Sequence, residues 1–500
     1  LDWPRWLAAL PDAPLVAEPD LCRRLAWILI FTGHLEAADR PLSLAETTWR
    51  SAGNQEKVGE LLGLRAITWG WKGDFPRAIQ VAQQALALLP ADAVERQGVP
   101  AYVLGASDLH LGHIGSATDW LLAASAATQR DSNGAHNPSE FFLSLATTAS
   151  LAHAYQMRGD LQHAAALHRD VIQHMGSATY LQVPSALIYL GALCYEWNDL
   201  AEAERMLREG IAVAERIGRA RYWSEAWAML AQVLLAGGDA LQAQAMAAHA
   251  LVVARALDNP RDIAEADVLQ GRLWLAQGDL AAVLRWLHTR ALPIDRPLSY
   301  PDQAQYLMYA RIRIAQAQQP PGSVDLHAIG YQLNQLLQLA ETDQRMADRI
   351  AILALLALMH AVEGDSTQPL QILAAAIRLA APEGYIRTFV DEGAPMCALL
   401  QSLRGQLPAI APDDRLPAYL DRLLGSFPAE ISASPGPTPT LTRLSEREHV
   451  VLQLLAEGRS ISEIAATLII SAHTARTHVK NIYTKLDAHN RVQALDRARA

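Results

Sequence analysis

The chain has 500 residues, 51% hydrophobic, 19% charged and 6% aromatic, with a formal net charge of −10 at pH 7. That length allows several domains and a large buried core. Cys22, Cys194 and Cys397 lie far apart without a CxxC pair, which excludes a disulfide framework and points to buried thiols in a reducing cytosol. No apolar run approaches the ~18 residues of a membrane span, so no membrane partner is expected.

The first residues, Leu1-Asp2-Trp3-Pro4, include neither Met nor a signal-peptide pattern. They read as an internal start, as if this were the C-terminal part of a longer protein. The body that follows, residues 1–425, is rich in Ala and Leu and lacks clear strand signals. A turn of the form Gly-Asp-Leu-x-x-Ala recurs at Gly33-His34, Gly73-Asp74, Gly112-His113, Gly159-Asp160, Asn198-Asp199, Gly238-Asp239 and Gly278-Asp279. Successive gaps are 40, 39, 47, 39, 40 and 40 residues, and Gly364-Asp365 lies 86 further on. The skipped copy falls near Gln319-Pro320-Pro321-Gly322.

The chemistry of that turn predicts helix pairs. Gly or Asn ends helix A in the left-handed region, and Asp caps helix B. The following Ala lets the two helices approach. Such pairs cannot bury their apolar faces alone, so they stack into a solenoid resembling tetratricopeptide repeats with longer helices. All twelve tryptophans precede residue 287. Most are expected in the core. Trp69, Trp71, Trp197 and Trp227 also form a possible ligand face, since aromatic rings on a concave surface can stack on a small inducer.

Residues 426–440 read as a linker, with Pro435, Pro437 and Pro439 alternating with small residues. Residues 441–500 form the last domain. They hold nine Lys and Arg against six Asp and Glu, a balance of +3 that leaves −13 on the rest. A mildly basic reader on an acidic body suits specific DNA binding with little unspecific attraction. Ser445 with Glu448 and Ser460 with Glu463 fit capping boxes, and Gly458 ends the first helix. The second helix, about 461–468, buries Ile464, Ala465 and Leu468. Three residues later the third helix begins, from Ala472 to about Leu486. It carries Ala475, Val479, Ile482 and Leu486 on one side. Two helices joined by so short a turn form a helix-turn-helix, here at about 460–479.

These residues resemble the LuxR-type helix-turn-helix domain. The matching string runs from Leu444-Ser445-Glu446-Arg447-Glu448 through Leu454-Leu-Ala-Glu-Gly458, Glu463-Ile-Ala465, Thr474, His478-Val-Lys-Asn-Ile-Tyr483, Lys485-Leu486 and Asn490-Arg491 to Gln493-Ala494. Three positions depart from the family: Ala475 for Val, Arg476 for Lys and Asp487 for Gly. The first two keep an apolar and a basic residue, and Asp tolerates a left-handed position better than most. The resemblance implies double-stranded DNA as partner. Arg476 and Thr477 are placed at base edges, and Lys480 near a base or phosphate. Asn481 and Lys485 are placed at phosphate, Thr474 in the first turn, and His478 at the DNA or between helices. A final helix with Val492, Leu495 and Arg499 matches the family's dimer helix.

The body resembles MalT-like regulators, the large ATP-binding members of the LuxR family. The resemblance rests on Pro382-Glu383-Gly384-Tyr385-Ile386-Arg387, Phe389 and Asp391-Glu392-Gly393, and on Leu21-Cys22-Arg23 with Ala26-Trp27 and Gly33-His34-Leu35-Glu36-Ala37-Ala38. Such regulators carry an ATPase with a P-loop, which needs Lys directly after Gly. The four lysines here, Lys57, Lys72, Lys480 and Lys485, follow Glu56, Trp71, Val479 and Thr484. No cofactor is therefore expected in this chain, and ATP enters only through a missing upstream module. No GxSxG or HExxH occurs, and no catalytic or metal site is expected. Adjacent Asp391 and Glu392 read as cap or turn residues. The expectation is an all-α, cytoplasmic bacterial transcription regulator: a sensor solenoid that self-associates, joined to a four-helix reader that binds DNA and contacts RNA polymerase. The inducer, a small molecule or a protein, is unassigned. The alternative is a solenoid protein-binding adaptor with a vestigial DNA domain.

Overall fold

The computed structural model describes residues 18–31, 34–128, 138–175, 182–216, 223–256, 260–288, 298–318, 326–364, 367–410, 415–432, 446–468, 479, 482, 491 and 493. Among these residues all regular structure is helical. The fold divides into two compact units, Leu1–Ile431 and Ser432–Ala500.

The first unit opens with α1 (Pro19–Phe31), α2 (Leu35–Ser51), α3 (Gln55–Trp71), α4 (Phe75–Leu88), α5 (Val94–Leu111), α6 (Ile114–Thr128), α7 (Pro138–Arg158) and α8 (Leu161–Met175). It continues with α9 (Gln182–Glu196), α10 (Leu200–Arg216), α11 (Trp223–Ala236), α12 (Ala240–Ala256), α13 (Pro260–Ala276) and α14 (Leu280–His288). Then come α15 (Gln303–Ala317), α16 (His327–Thr342), α17 (Met346–Val362) and α18 (Gln368–Ala380). Odd-numbered helices open each pair and even-numbered ones close it.

The turns are built as the repeat chemistry requires. Gly73, Gly112, Gly159, Asn198, Gly238, Gly278 and Gly364 all have φ between 64° and 90°. The backbone N–H of the next residue closes the Schellman bond, as from Asp160 to the Tyr155 carbonyl at 2.9 Å and from Asp199 to the Cys194 carbonyl at 2.8 Å. The Asp carboxylates then accept from the first helical N–H groups of the next helix. Asp74 takes Arg77 N at 3.2 Å, Asp239 takes Gln242 N at 2.9 Å and Asp279 takes Ala282 N at 2.9 Å. Five residues after the turn, Ala78, Ala117, Ala164, Ala203 and Ala243 are fully buried. Gly105 and Gly191 face these alanines' carbonyls from the partner helix, where a Cβ would meet Leu121 at 2.6 Å and Leu207 at 2.9 Å. Near the skipped turn, α15 ends at Ala317 and α16 starts at His327. The next turn uses a non-glycine, Gln344, at φ 59°.

The cores are those of a stacked array. One cluster joins α1 to α5 around Leu29, Leu42, Leu61 and Ile67. Another runs from Leu161 to Phe427. After α18 the pairing stops. Residues 381–386, the single turn α19 (Arg387–Val390) and residues 391–392 form a strap that packs against α9 and α17 and reaches side chains of α13 and α15. It leads into α20 (Gly393–Ile410), α21 (Leu416–Gly425) and α22 (Ala429–Ser432). Of the segment read as linker, 426–440, the first part ends in α22 with Phe427 buried, and residues 433–440 lie outside the described residues. No helix among the described residues is long and apolar enough to cross a membrane.

Candidate functional site

The second unit contains α23 (Glu446–Ala456) and α24 (Ile461–Leu468). Gly458 turns the chain between them at φ 90°. Ser460 and Glu463 form the capping box. Glu463 accepts from Ser460 N at 2.7 Å, and its own N–H reaches Ser460 Oγ at 3.4 Å. The Ser460 backbone N–H leads the causes that hold the Glu463 carboxyl below its ordinary pKa. The core of this unit joins Val451, Leu452, Leu455, Ile464, Ala465, Val479 and Ile482, with Leu468 at its margin. Two residues of the expected third helix, Val479 and Ile482, are thus buried against α23 and α24. The other expected reader residues, Thr474, Arg476, Thr477, His478, Lys480, Asn481 and Lys485, lie outside the described residues, as do Val492, Leu495 and Arg499.

The four tryptophans of the possible ligand face are half-buried and divide between two clusters, Trp69 and Trp71 in one and Trp197 and Trp227 in the other. Trp69 lies under the Arg77 guanidinium, 3.7 Å from ring to cation, and Trp71 meets Phe31 edge-on at 5.3 Å. Both pack in the N-terminal core. Trp227 contacts His249 edge-on at 4.7 Å. The Trp197 Nε1–H donates to the Glu383 carbonyl of the strap at 2.9 Å.

The strap carries charge chemistry that sequence reading missed. Asp391 accepts from the Tyr195 hydroxyl at 2.7 Å, pairs with Arg387 and lies 3.5 Å from Arg272. Glu392 pairs with Arg311 at 2.7 Å. Glu196 accepts from Ile386 N at 3.1 Å, Thr388 N at 3.0 Å and Thr388 Oγ1 at 3.0 Å. Asp391 and Glu392 do occupy a turn, as read from sequence, but they also tie that turn to three repeats. The sequence signal was that both belong, with Arg387 and Phe389, to the stretch that carries the MalT-like resemblance.

Burial pushes the Glu196 carboxyl up to about 7 from 4.5, and the Thr388 and Ile386 donors offset only part of that. The folded state therefore holds this proton at pH values where the unfolded chain has released it. Stability falls as pH rises from about 4.5 to about 7 and stays level above. A shift of that size is worth roughly 3 kcal/mol. Denaturant unfolding of Glu196→Gln and the parent at pH 5 and pH 8 should show the parent losing more stability on going to pH 8. Equal losses would place the titration elsewhere.

The helical-repeat body and the small C-terminal unit each match the model of a known family of bacterial regulators. Residues 59–406 match the model of the MalT-like TPR region, and residues 442–498 match that of the bacterial regulatory proteins of the luxR family. The chain belongs to the MalT-like TPR family and ends in a LuxR-type domain. It is 23% identical over 518 residues to the HTH-type transcriptional regulator MalT of Vibrio cholerae serotype O1, covering 98% of this chain and 55% of that protein. The chain thus spans about half the length of this curated relative. The crystal structure of a Rap protein complexed with Competence and Sporulation Factor superposes with a TM-score of 0.57 at 11% identity, over 74% of this chain and 99% of that one. The last likeness is one of fold.

Proposed function

We propose that this chain reads operator DNA through the third helix of its LuxR-type domain, and that the repeat body sets when paired readers assemble. One observation carries the reading: Val479 and Ile482 are buried against α23 and α24. On the helix expected from the sequence, at 3.6 residues per turn, positions 477, 480 and 481 fall opposite 479 and 482, and positions 474, 476, 478 and 485 fall between the two sides. This is the polar surface that a recognition helix presents to the major groove. Val492, Leu495 and Arg499 are assigned to pairing of two readers. The body contributes self-association and takes up the inducer, and RNA polymerase is the partner on DNA. No cofactor is assigned to these residues; ATP enters only with an upstream module. The place of action is the cytoplasm, where bacterial DNA lies.

Arg476→Ala should weaken specific binding by roughly 1–3 kcal/mol and relax the preference at one base position. Binding to operator and to random DNA, measured at the same salt, decides the matter. An equal loss on both would show that Arg476 touches only phosphate.

A further inference from the structure

The outer side of α12 differs from that of the helices before and after it in the same row. Its inner side is complete: Ala243, Ala247, Ala250 and Ala254 are fully buried. The opposite side carries Leu241, Ala245, Ala248 and Val252, all exposed and spaced by four, three and four residues. That spacing keeps the four side chains in one row along the helix. Leu241 is 84% exposed and Val252 64%, the two most exposed large aliphatic side chains among the described residues. Forty residues back, the matching row of α10 is Ala201, Arg205, Arg208 and Ala212. Forty residues on, that of α14 begins with Ala281, Arg285 and His288. Charge fills the middle of both of those rows and is missing from the row on α12. The first turn is inverted as well. α10 opens with Leu200-Ala201 and α14 with Leu280-Ala281, each Leu half-buried, whereas α12 opens with Ala240-Leu241 and sends its Leu outward.

An apolar row that the fold does not use marks a contact surface. Its symmetry identifies the occupant. Leu241 and Val252 lie equally far from the midpoint between Met246 and Ala247, and so do Ala245 and Ala248. A second copy of the helix, laid antiparallel about a two-fold axis at that midpoint, puts Leu241 of one copy against Val252 of the other. The same operation puts Ala245 against Ala248. Large meets large at the ends and small meets small at the centre, so the axes can approach to the ~8 Å lower end of helix packing. The charges agree with this arrangement. Arg255 is exposed and continues the row beyond Val252. The two-fold brings it to the start of the other helix, where the Asp239 carboxylate stands. Asp239 accepts from Gln242 N at 2.9 Å and Gln242 Nε2 at 2.6 Å, and a carboxylate has room for a further donor.

We propose that α12 is a self-association surface, through which two copies of this chain pair antiparallel along the row from Leu241 to Val252. The proposal assigns to one helix the self-association given above to the repeat body, and it rests on that reading. A single helix crossing buries less than the ~1,200–2,000 Å² of a standard stable interface, so the pairing is weak and depends on concentration.

Sedimentation of the full-length chain across the micromolar range should show a reversible monomer–dimer equilibrium. Leu241→Glu and Val252→Glu should each raise the dissociation constant at least tenfold, because each side chain is buried twice in the pair. Both sites are exposed in the single chain, and circular dichroism melting checks that the variants remain folded. Cross-linking with a short bis-maleimide tests the orientation. The native cysteines are buried, and the parent serves as the blank. At about 1.5 Å per residue, like positions at the two ends of the row lie about 16 Å apart across the pair, beyond the reagent's reach. Leu241→Cys alone and Val252→Cys alone should therefore stay uncross-linked, and a mixture of the two should cross-link. Single variants that cross-link as well as the mixture overturn the antiparallel pairing. Undiminished association of both Glu variants removes α12 from the interface and leaves the self-association of the body standing, whereas a parent that is monomeric throughout removes both. A monomeric parent that pellets with phosphatidylcholine vesicles would give the row to a membrane surface and likewise overturn the pairing.

Discussion

Glu392→Ala is expected to destabilise the repeat body by about 3–5 kcal/mol, far more than an exposed charge would. Glu392 is only 8% exposed and its partner Arg311 only 11%. The two approach at 2.8 Å through Nε and 2.7 Å through Nη2, which is paired, charge-assisted geometry. Alanine removes the carboxylate and strands a guanidinium among packed helices. The other strap carboxylate does not compensate, because Asp391 already serves Arg387, Arg272 and Tyr195. Removing both charges is a different experiment. Arg311→Met with Glu392→Leu keeps the volume and leaves no orphan, so it should recover most of the loss. Denaturant unfolding of the parent, the single variant and the double variant separates these cases. If Glu392→Ala cost less than about 1 kcal/mol, the pair would be solvated and the strap would not clamp the repeats.

The contrast between repeats and strap shows what a sequence can disclose. A Gly-Asp turn states its own geometry: Gly159 adopts φ 87° because its neighbours need it, and the Asp160 carboxylate reaches His163 N three residues on. The capping box at Ser460 and Glu463 is equally local. Such features are decided within one helical turn, so spacing reveals them. The strap is decided elsewhere. Asp391 meets Tyr195 across 196 residues, and Glu383 meets Trp197 across 186. No period in the sequence links those positions. Adjacent carboxylates read as a cap because their partners appear only when the superhelix brings α9, α13 and α15 to one place. The tryptophans pose the same problem. A ring at 197 is apolar bulk in sequence, but its indole N–H is committed to the strap by the fold. The reader was legible for the opposite reason: all of its informative spacings fall within about fifty residues.

Gly112→Ala should cost about 2–4 kcal/mol, whereas Gly238→Ala should cost about 1–2 kcal/mol. The two glycines occupy equivalent turns at nearly the same backbone angle, φ 85° and φ 90°. Both substitutions place an L side chain in the left-handed region, so that cost is common to both. Their surroundings differ. A Cβ at Gly238 meets nothing within 4 Å. A Cβ at Gly112 would lie 2.5 Å from Tyr300 Cγ and 2.8 Å from Tyr300 Cβ. Those atoms are the root of the side chain, so the ring cannot swing clear without moving its backbone. Tyr300 is also held from other sides, with the Arg345 guanidinium 4.8 Å from its ring and its hydroxyl 3.9 Å from Met157 sulfur. The excess cost at Gly112 therefore measures how firmly the α5–α6 turn is packed against the segment that precedes α15. A cycle with Tyr300→Gly, which removes both Cγ and Cβ, isolates it: in that background Gly112→Ala should fall to the cost of Gly238→Ala. If Gly112→Ala were no worse than Gly238→Ala in the parent, the turn and Tyr300 would part in solution, and the superhelix would be open at that point.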